Sequence, residues 1–449
     1  MRVLFATSAD KSIFQSLTPL AWALRTAGHE VRVASLDKFA TTINQAGLTA
    51  VPVGHDSAKE DEDDDEDDEP PAVSASPEDD DDEPPEDEYV PPLPYDVVAK
   101  PEPDITWVEL KARYDFYVTW WHKTDAVPMI NEMVAYARWW QPDLVIWDPI
   151  AFAGPIAAKA VGAAHARLLW GQDIFGATRE HYLRLKDRMS PRAQGDMLAE
   201  WLGAAAGRHG GGRFTEDMVT GQFTIDQLPA SLRMAGTASD GRSASSAKPD
   251  HVPMRYVPYG GPSIVEPWLW ETPKRTRVAI TLGITAAERF DGYAVDVQDI
   301  FDAVADLAIE VVATINVKEQ NRISRVPDNV TMVDYAPLQA LVPTCAAVIH
   351  HAGFGTMATA SLHGVPQLTL PTDFDEPPLA RRLTEQGAGL TMHSAESTGP
   401  RVRELLLRIL GESSFRTAAA RLRDEMLAMP TANEIVPRLE ELTVKYRVE

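Results

Sequence analysis

Short apolar runs alternate with amphipathic stretches along this chain. Val3-Leu4-Phe5 is brief enough for a buried strand, and Phe14 to Ala27 follows with Leu17, Leu20, Ala21 and Leu24 along one side. That spacing of three and four is helical. Gly28-His29 closes the helix, and Val31 to Ala34 gives the next strand. Strand, helix and strand in close succession begin a parallel α/β domain. Leu48 to Val53, Pro142 to Pro149 and His165 to Trp170 read as further strands, and Phe152 to Val161 as a helix. Helical spacing also covers Ile105 to Trp140 and Tyr182 to His209. Met254 to Trp270 is rich in proline and glycine and reads as a connection. The strand–helix pattern restarts at Arg277 and runs through strands at Val278–Leu282, Glu310–Thr314, Val330–Val333, Ala346–Ile349 and Gln367–Leu370. Helices are expected over Val297–Leu307, Leu379–Gln386, Arg401–Leu410 and Phe415–Ala428. The pattern predicts two α/β domains, 1–250 and 277–449, joined by 251–276 and facing each other across a cleft.

Composition changes this picture at one place. The formal charge is −25, but Asp56 to Glu88 holds 20 acidic residues and one lysine, which leaves −6 for the rest. The segment at about 56–92 has too few apolar residues to offset the cost of ordering, so it is expected to be disordered. It reads as a solvated insert; cation binding is the other reading of such a tract. The acidic balance argues against a nucleic-acid partner, which needs a basic face. Cys345 is the single cysteine, so no disulfide forms within the chain and no cysteine-built metal site is expected. That usage fits a reducing cytoplasm. No signal peptide is read at MRVLFATSADK, and no apolar run is long enough to predict a membrane span.

Ala346 to Pro366, AAVIHHAGFGTMATASLHGVP, carries the strongest chemical signal. A short strand is followed by His350 and His351, then Gly353 and Gly355 around Phe354, then a helical stretch from Thr356 that stops at Gly364 and Pro366. Unpaired N–H groups at a helix start suit a phosphate, and glycine lets backbone approach it closely. A βα turn with two polar residues is the plain alternative. Asp148 and Asp173 also fall at strand ends, where open α/β sheets hold ligands. The aromatics between Trp107 and Trp140 fit either a core stripe or the lining of an apolar acceptor pocket.

HHAGFGT, GVPQLTLP and the DFDE turn between Val333 and Arg382 resemble the donor half of GT-B glycosyltransferases that use nucleotide sugars. MRVLFATSADKS, PDLVIWDPIAFAGPIAAKA and RYVPYGGPSIVEPWL resemble actinobacterial antibiotic glycosyltransferases of the erythromycin desosaminyltransferase type. The resemblance spans nearly the whole chain apart from the acidic insert. It implies a GT-B fold, with an acceptor-binding first domain and a nucleotide-sugar-binding second domain, each Rossmann-like. It implies an inverting transfer of a deoxysugar from a dTDP- or UDP-sugar to a hydrophobic polyketide aglycone, without cofactor or divalent metal. An auxiliary activator, a haem-less monooxygenase homologue, is the partner it implies.

By position, the resemblance assigns the donor phosphates to His351 and the backbone of Gly353, Gly355 and Thr356, with Gly283 and Thr285 opposite. It assigns the nucleobase to Tyr335 and the sugar hydroxyls to Asp375 and Glu376. Relatives place a general-base histidine where this chain has Ile13, which cannot move a proton. A carboxylate is therefore expected to replace it: Asp10, in the same loop as Ile13, and the strand-end acid Asp148 are the candidates, with Asp173 at a neighbouring strand end. Two rival readings remain: a C-glycosyltransferase acting on an aromatic polyketide, and a non-catalytic nucleotide-sugar binder or assembly partner.

Overall fold

The computed structural model describes residues 1–54, 91–99, 104–234, 250–283 and 292–448. The acidic insert therefore lies, but for its last two residues, outside the described residues, as does Thr285. Among the described residues, strands β1 (Arg2–Ala6), β2 (Glu30–Ser35), β3 (Ala50–Pro52), β4 (Leu144–Trp147), β5 (Ala164–Leu168), β6 (Phe223–Asp226) and β7 (Asp250–Pro253) form one sheet. A second sheet holds β8 (Thr276–Thr281), β9 (Ile309–Thr314), β10 (Val330–Val333), β11 (Ala347–His350), β12 (Gln367–Thr369) and β13 (Gly389–Thr391). The orders are β3-β2-β1-β4-β5-β6-β7 and β10-β9-β8-β11-β12-β13, and neighbouring strands run parallel throughout. Both are Rossmann-like, which agrees with the architecture read from the sequence. Parallel sheets are covered on both faces, so their strands are apolar runs without alternation. Val3 to Ala6 and Leu144 to Trp147 are accordingly all buried.

Each sheet reverses its strand order once, between β1 and β4 and between β8 and β11. Crevices open at such switch points, at the carboxyl ends of the strands. Beyond β1 the chain enters helix α1 (Lys11–Thr26), whose N-cap is Asp10. Helices α2 (Trp107–Tyr117) and α3 (Thr124–Trp140) form one rod, interrupted by a π turn at Val118–Lys123. A π turn carries an extra residue and shifts the inward face of the helix. Here His122 is buried and Trp121 half-buried, and both pack against Phe175.

The sequence pattern reads Tyr182 to His209 as one helix, but the chain makes two: α4 (Ile174–Lys186) and α5 (Met197–Arg208). The residue before Pro191 is pushed out of helical geometry, and Asp196 caps the restart. Buried Arg179 reaches back to both oxygens of Asp196, at 2.9 Å each, and pins the loop between the helices.

In the second sheet, α6 (Phe354–Leu362) follows β11 and α7 (Glu376–Glu385) follows β12. The last helix, α8 (Ala432–Tyr446), is opened by a Thr431/Glu434 capping box. It corrects the division of the chain at 277. Ile435, Val436, Leu439 and Leu442 join the core of the first sheet, and the Tyr446 hydroxyl donates to Asp250 at 2.9 Å. Strand β7 likewise extends into the segment read as the connection.

Leu439 is wholly enclosed in that first-domain core. Leu439→Ala is expected to cost about 2–5 kcal/mol, the usual range for a buried leucine truncated to alanine. Urea unfolding followed by circular dichroism measures it; an unchanged midpoint would mean that the helix merely lies on the surface.

Candidate active site

The turn after β11 shows why its residue types matter. His350 is fully buried, accepts the Ala352 N–H on Nδ1 at 3.1 Å, and meets Gln367 Oε1 through Nε2 at 2.8 Å. Since Nδ1 accepts, Nε2 carries the proton and donates. Gln367 passes the chain on to the Ser361 hydroxyl at 3.0 Å. Burial drives His350 down to about 3, so it is neutral and structural. It fixes the turn in which Ala352 takes φ 76 and Gly353 becomes the N-cap of α6 with no side-chain cap. The first N–H groups of α6 are thus left for a ligand.

His351 lies between two glycines. A Cβ on Gly283 (φ +85) would sit 2.7 Å from the His351 ring, and a Cβ on Gly353 would collide with it. The ring reaches the turns after β8 and β11 only because both positions are glycine. The Thr281 carbonyl faces the ring, Nδ1 is buried without a partner, and burial lowers the pKa to about 4. Gly355 is exposed and Thr356 half-buried beside it. Tyr256, leaving the first sheet, donates its hydroxyl to the Gly355 carbonyl at 3.3 Å and packs edge-on against Phe354. Tyr335 is 39% exposed, with its hydroxyl 3.3 Å from the Gly260 carbonyl in the interdomain connection.

The DFDE turn crosses toward the first domain. Phe374 takes φ 60, and its N–H donates to Asp96 at 3.2 Å. Asp375 is buried, takes a backbone hydrogen bond from Gln172, and fills the space that a side chain at Gly171 would need. Glu376 accepts the Thr372 N–H at 2.9 Å. Burial lifts Asp375 to about 7 and Glu376 to about 8.

In the first domain the acids differ. Asp10 is half-buried and accepts on Oδ1 from the Ser12 hydroxyl at 2.6 Å and N–H at 2.8 Å, and from the Ile13 N–H at 3.2 Å. Ile13 itself is core. Asp148 has no exposed surface. It accepts from the N–H groups of Ser8 (2.8 Å), Ile150 (3.0 Å) and Ala151 (3.2 Å), and burial raises it to about 6. That is the geometry of an anchor between the loops after β1 and β4. Asp173 caps α4 and pairs with buried Arg167 at 2.5 Å. Two groups escaped sequence reasoning: His122, whose Nε2 meets the Tyr95 hydroxyl inside an aromatic cluster, and Phe374 in that cluster. The left-handed Phe-Asp step left no sequence signal; the π turn left at most Pro128 just downstream.

Two Rossmann-like parallel sheets, touching through the DFDE turn and Tyr256, with an uncapped helix start after β11, have the architecture of a GT-B glycosyltransferase. The chain belongs to the erythromycin biosynthesis protein CIII-like family: residues 22–62 and 113–283 match the model of its N-terminal domain, and 298–442 that of its C-terminal domain. It is 41% identical to aclacinomycin-T 2-deoxy-L-fucose transferase of Streptomyces galilaeus, over 100% of this chain and 97% of the relative. It is also 41% identical to 10-deoxymethynolide desosaminyltransferase of Streptomyces venezuelae, over 100% and 98%. The crystal structure of the glycosyltransferase VinC in complex with dTDP matches with TM-score 0.82 and 36% identity, covering 99% of this chain and 100% of that one.

The two turn carboxyls imply a pH effect. Both hold protons to higher pH in the folded than in the unfolded chain. Their contribution is full below the ordinary carboxylate range and is lost as pH rises through about 7 and 8. Melting temperature measured from pH 5 to 9 is expected to fall more steeply between pH 5 and 8 in the wild type than in Asp375→Asn/Glu376→Gln, with the two slopes converging above pH 8. Equal slopes would show that the two groups titrate normally.

Proposed function

We propose that the protein transfers a deoxysugar, with inversion, from a dTDP-sugar to a polyketide-type aglycone. The uncapped start of α6, with the His351 ring held between Gly283 and Gly353, carries this reading. Sugar-transferase relatives and the dTDP complex of VinC support it. The diphosphate sits on the N–H groups of Gly355 and Thr356. Its charge favours the His351 imidazolium, so one ring N–H keeps the Thr281 carbonyl and the other reaches phosphate. As the bond to the anomeric carbon breaks, these donors stabilise the leaving diphosphate. Gly283 flanks the diphosphate, Tyr335 stacks on the thymine, and Asp375 and Glu376 accept sugar hydroxyls.

Asp10 takes the acceptor proton in place of the histidine that Ile13 replaces. It is the partly exposed acid of the first βα loop, and a base must touch its substrate. Asp148 acts through Ser8 by holding that loop. An auxiliary haem-less monooxygenase-like protein activates the enzyme; the exposed Trp120 and Trp139 on the α2–α3 rod suit an apolar contact with it.

Transfer from dTDP-deoxysugars to a panel of polyketide aglycones, with and without such a partner, tests the reading. His351→Ala is expected to lower kcat/KM for the donor by about 2–4 kcal/mol of transition-state stabilisation. Asp10→Asn is expected to slow transfer by about 10²- to 10⁴-fold while dTDP affinity stays constant. Full-rate turnover by the purified protein alone would remove the activator from the scheme, and a wild-type rate in Asp10→Asn would remove Asp10 as the base.

A further inference from the structure

The DFDE turn does more than face the donor. Phe374 leaves the second domain and enters a box built by the first. Its ring lies parallel to Trp170, with centroids 6.0 Å apart and planes 18° apart. It meets Phe175 at 5.7 Å and Tyr95 at 5.9 Å, both edge-on, and Trp121 at 5.9 Å, tilted. Flat apolar rings pack in just these ways. The backbone that delivers it is left-handed, at φ 60, a conformation that bulky side chains avoid. Contacts to the other domain hold it there: the ring packing, the Asp96 carboxylate on its N–H, and the Gln172 hydrogen bond to neighbouring Asp375. Strain retained at a domain interface suits a residue that moves.

The box also holds polar atoms that a phenylalanine cannot serve. Trp170 Nε1 and His122 Nδ1 are buried without a hydrogen-bond partner. Buried polar atoms are normally paired. A ligand with a flat apolar ring and oxygen substituents would fill the volume of Phe374 and accept from the indole N–H; an oxygenated aromatic or polycyclic aglycone has that chemistry.

We propose that Phe374 holds the place of the acceptor ring: the box of Trp170, Phe175, Tyr95 and Trp121 is the aglycone subsite, and Phe374 vacates it when the DFDE turn engages the donor sugar. The inference rests on the transfer reading above. It couples the two substrates through one turn. Asp375 either accepts from Gln172 with the ring inserted, or turns to a sugar hydroxyl with the ring withdrawn. Phe374 is then a specificity residue for the acceptor.

The test is binding of 2-naphthol, a flat phenol, to the donor-free full chain by isothermal titration, with dTDP affinity measured in the same samples. Phe374→Ala is expected to bind 2-naphthol at least about tenfold more tightly than the wild type, the scale of one buried ring no longer competing. Adding Trp170→Ala should abolish the gain. Phe374→Leu, which keeps bulk but not the ring, should give a smaller gain and carries the test if the alanine variant does not fold. No gain in a variant that still binds dTDP, or a gain that survives loss of Trp170, overturns the inference. If no dTDP-sugar is ever transferred, the proposed function fails separately, and the naphthol result stands on its own.

Discussion

Parallel strand pairing is the constraint on which everything else here rests. It gathers every strand's carboxyl end on one side of its sheet, so the loops that leave those ends share a rim. Because each order reverses once, two neighbouring loops on each rim run in opposite directions and leave a gap between them. In the first sheet these loops carry Ser8 and Asp148, which close on each other. In the second they carry Gly283 and His351, which also touch. The same backbone geometry thus produces a locked pair on one side of the cleft and a pair open to an anion on the other. The difference is in the side chains: a carboxylate saturated by backbone N–H groups against an imidazole with one unsatisfied nitrogen.

Burial is the second theme of the site. The turn keeps its polar groups in protonation states that suit an enclosed space. His350 is neutral and spends both nitrogens on fixed partners. Asp375 and Glu376 are pushed toward their neutral forms. A neutral carboxylic acid donates as well as accepts, which is useful against sugar hydroxyls that do both. The aromatic cluster next door lowers the local dielectric and reinforces these shifts.

The local features were legible in the sequence because their parts are close along the chain. Strand, histidines, glycines and helix occupy Ala346 to Pro366 and could be read as one stretch. The division into two α/β units followed from alternating apolar runs. The DHVP residues of β7 are not an apolar run, and β7 joins its sheet through register with β6, so it was absorbed into the connection. The helix read through Ser190-Pro191 ignored what proline does to its predecessor. The helix opened by the capping box Thr431-Ala-Asn-Glu434 was missed in the sequence, and nothing in that box says which domain the helix serves. Asp10 in its loop and Asp148 at its strand end were both candidates in the sequence, and burial separates them. Phe374 meets Tyr95 across more than half the length of the chain, and no short-range pattern encodes such a contact.

The return of the final helix to the first sheet affects how the protein is made. The ribosome releases residues in order, and domains usually consolidate in that order. Here the first sheet leaves the ribosome before the second but lacks Ile435, Val436, Leu439 and Leu442, which join its core, until the second sheet has been made. The face awaiting them is apolar and exposed to solvent throughout translation of the second sheet. The first domain therefore waits through translation of the second without this packing layer, as a species that chaperones would recognise. A nascent chain cut short before residue 432 would lack part of the core of the domain synthesised first.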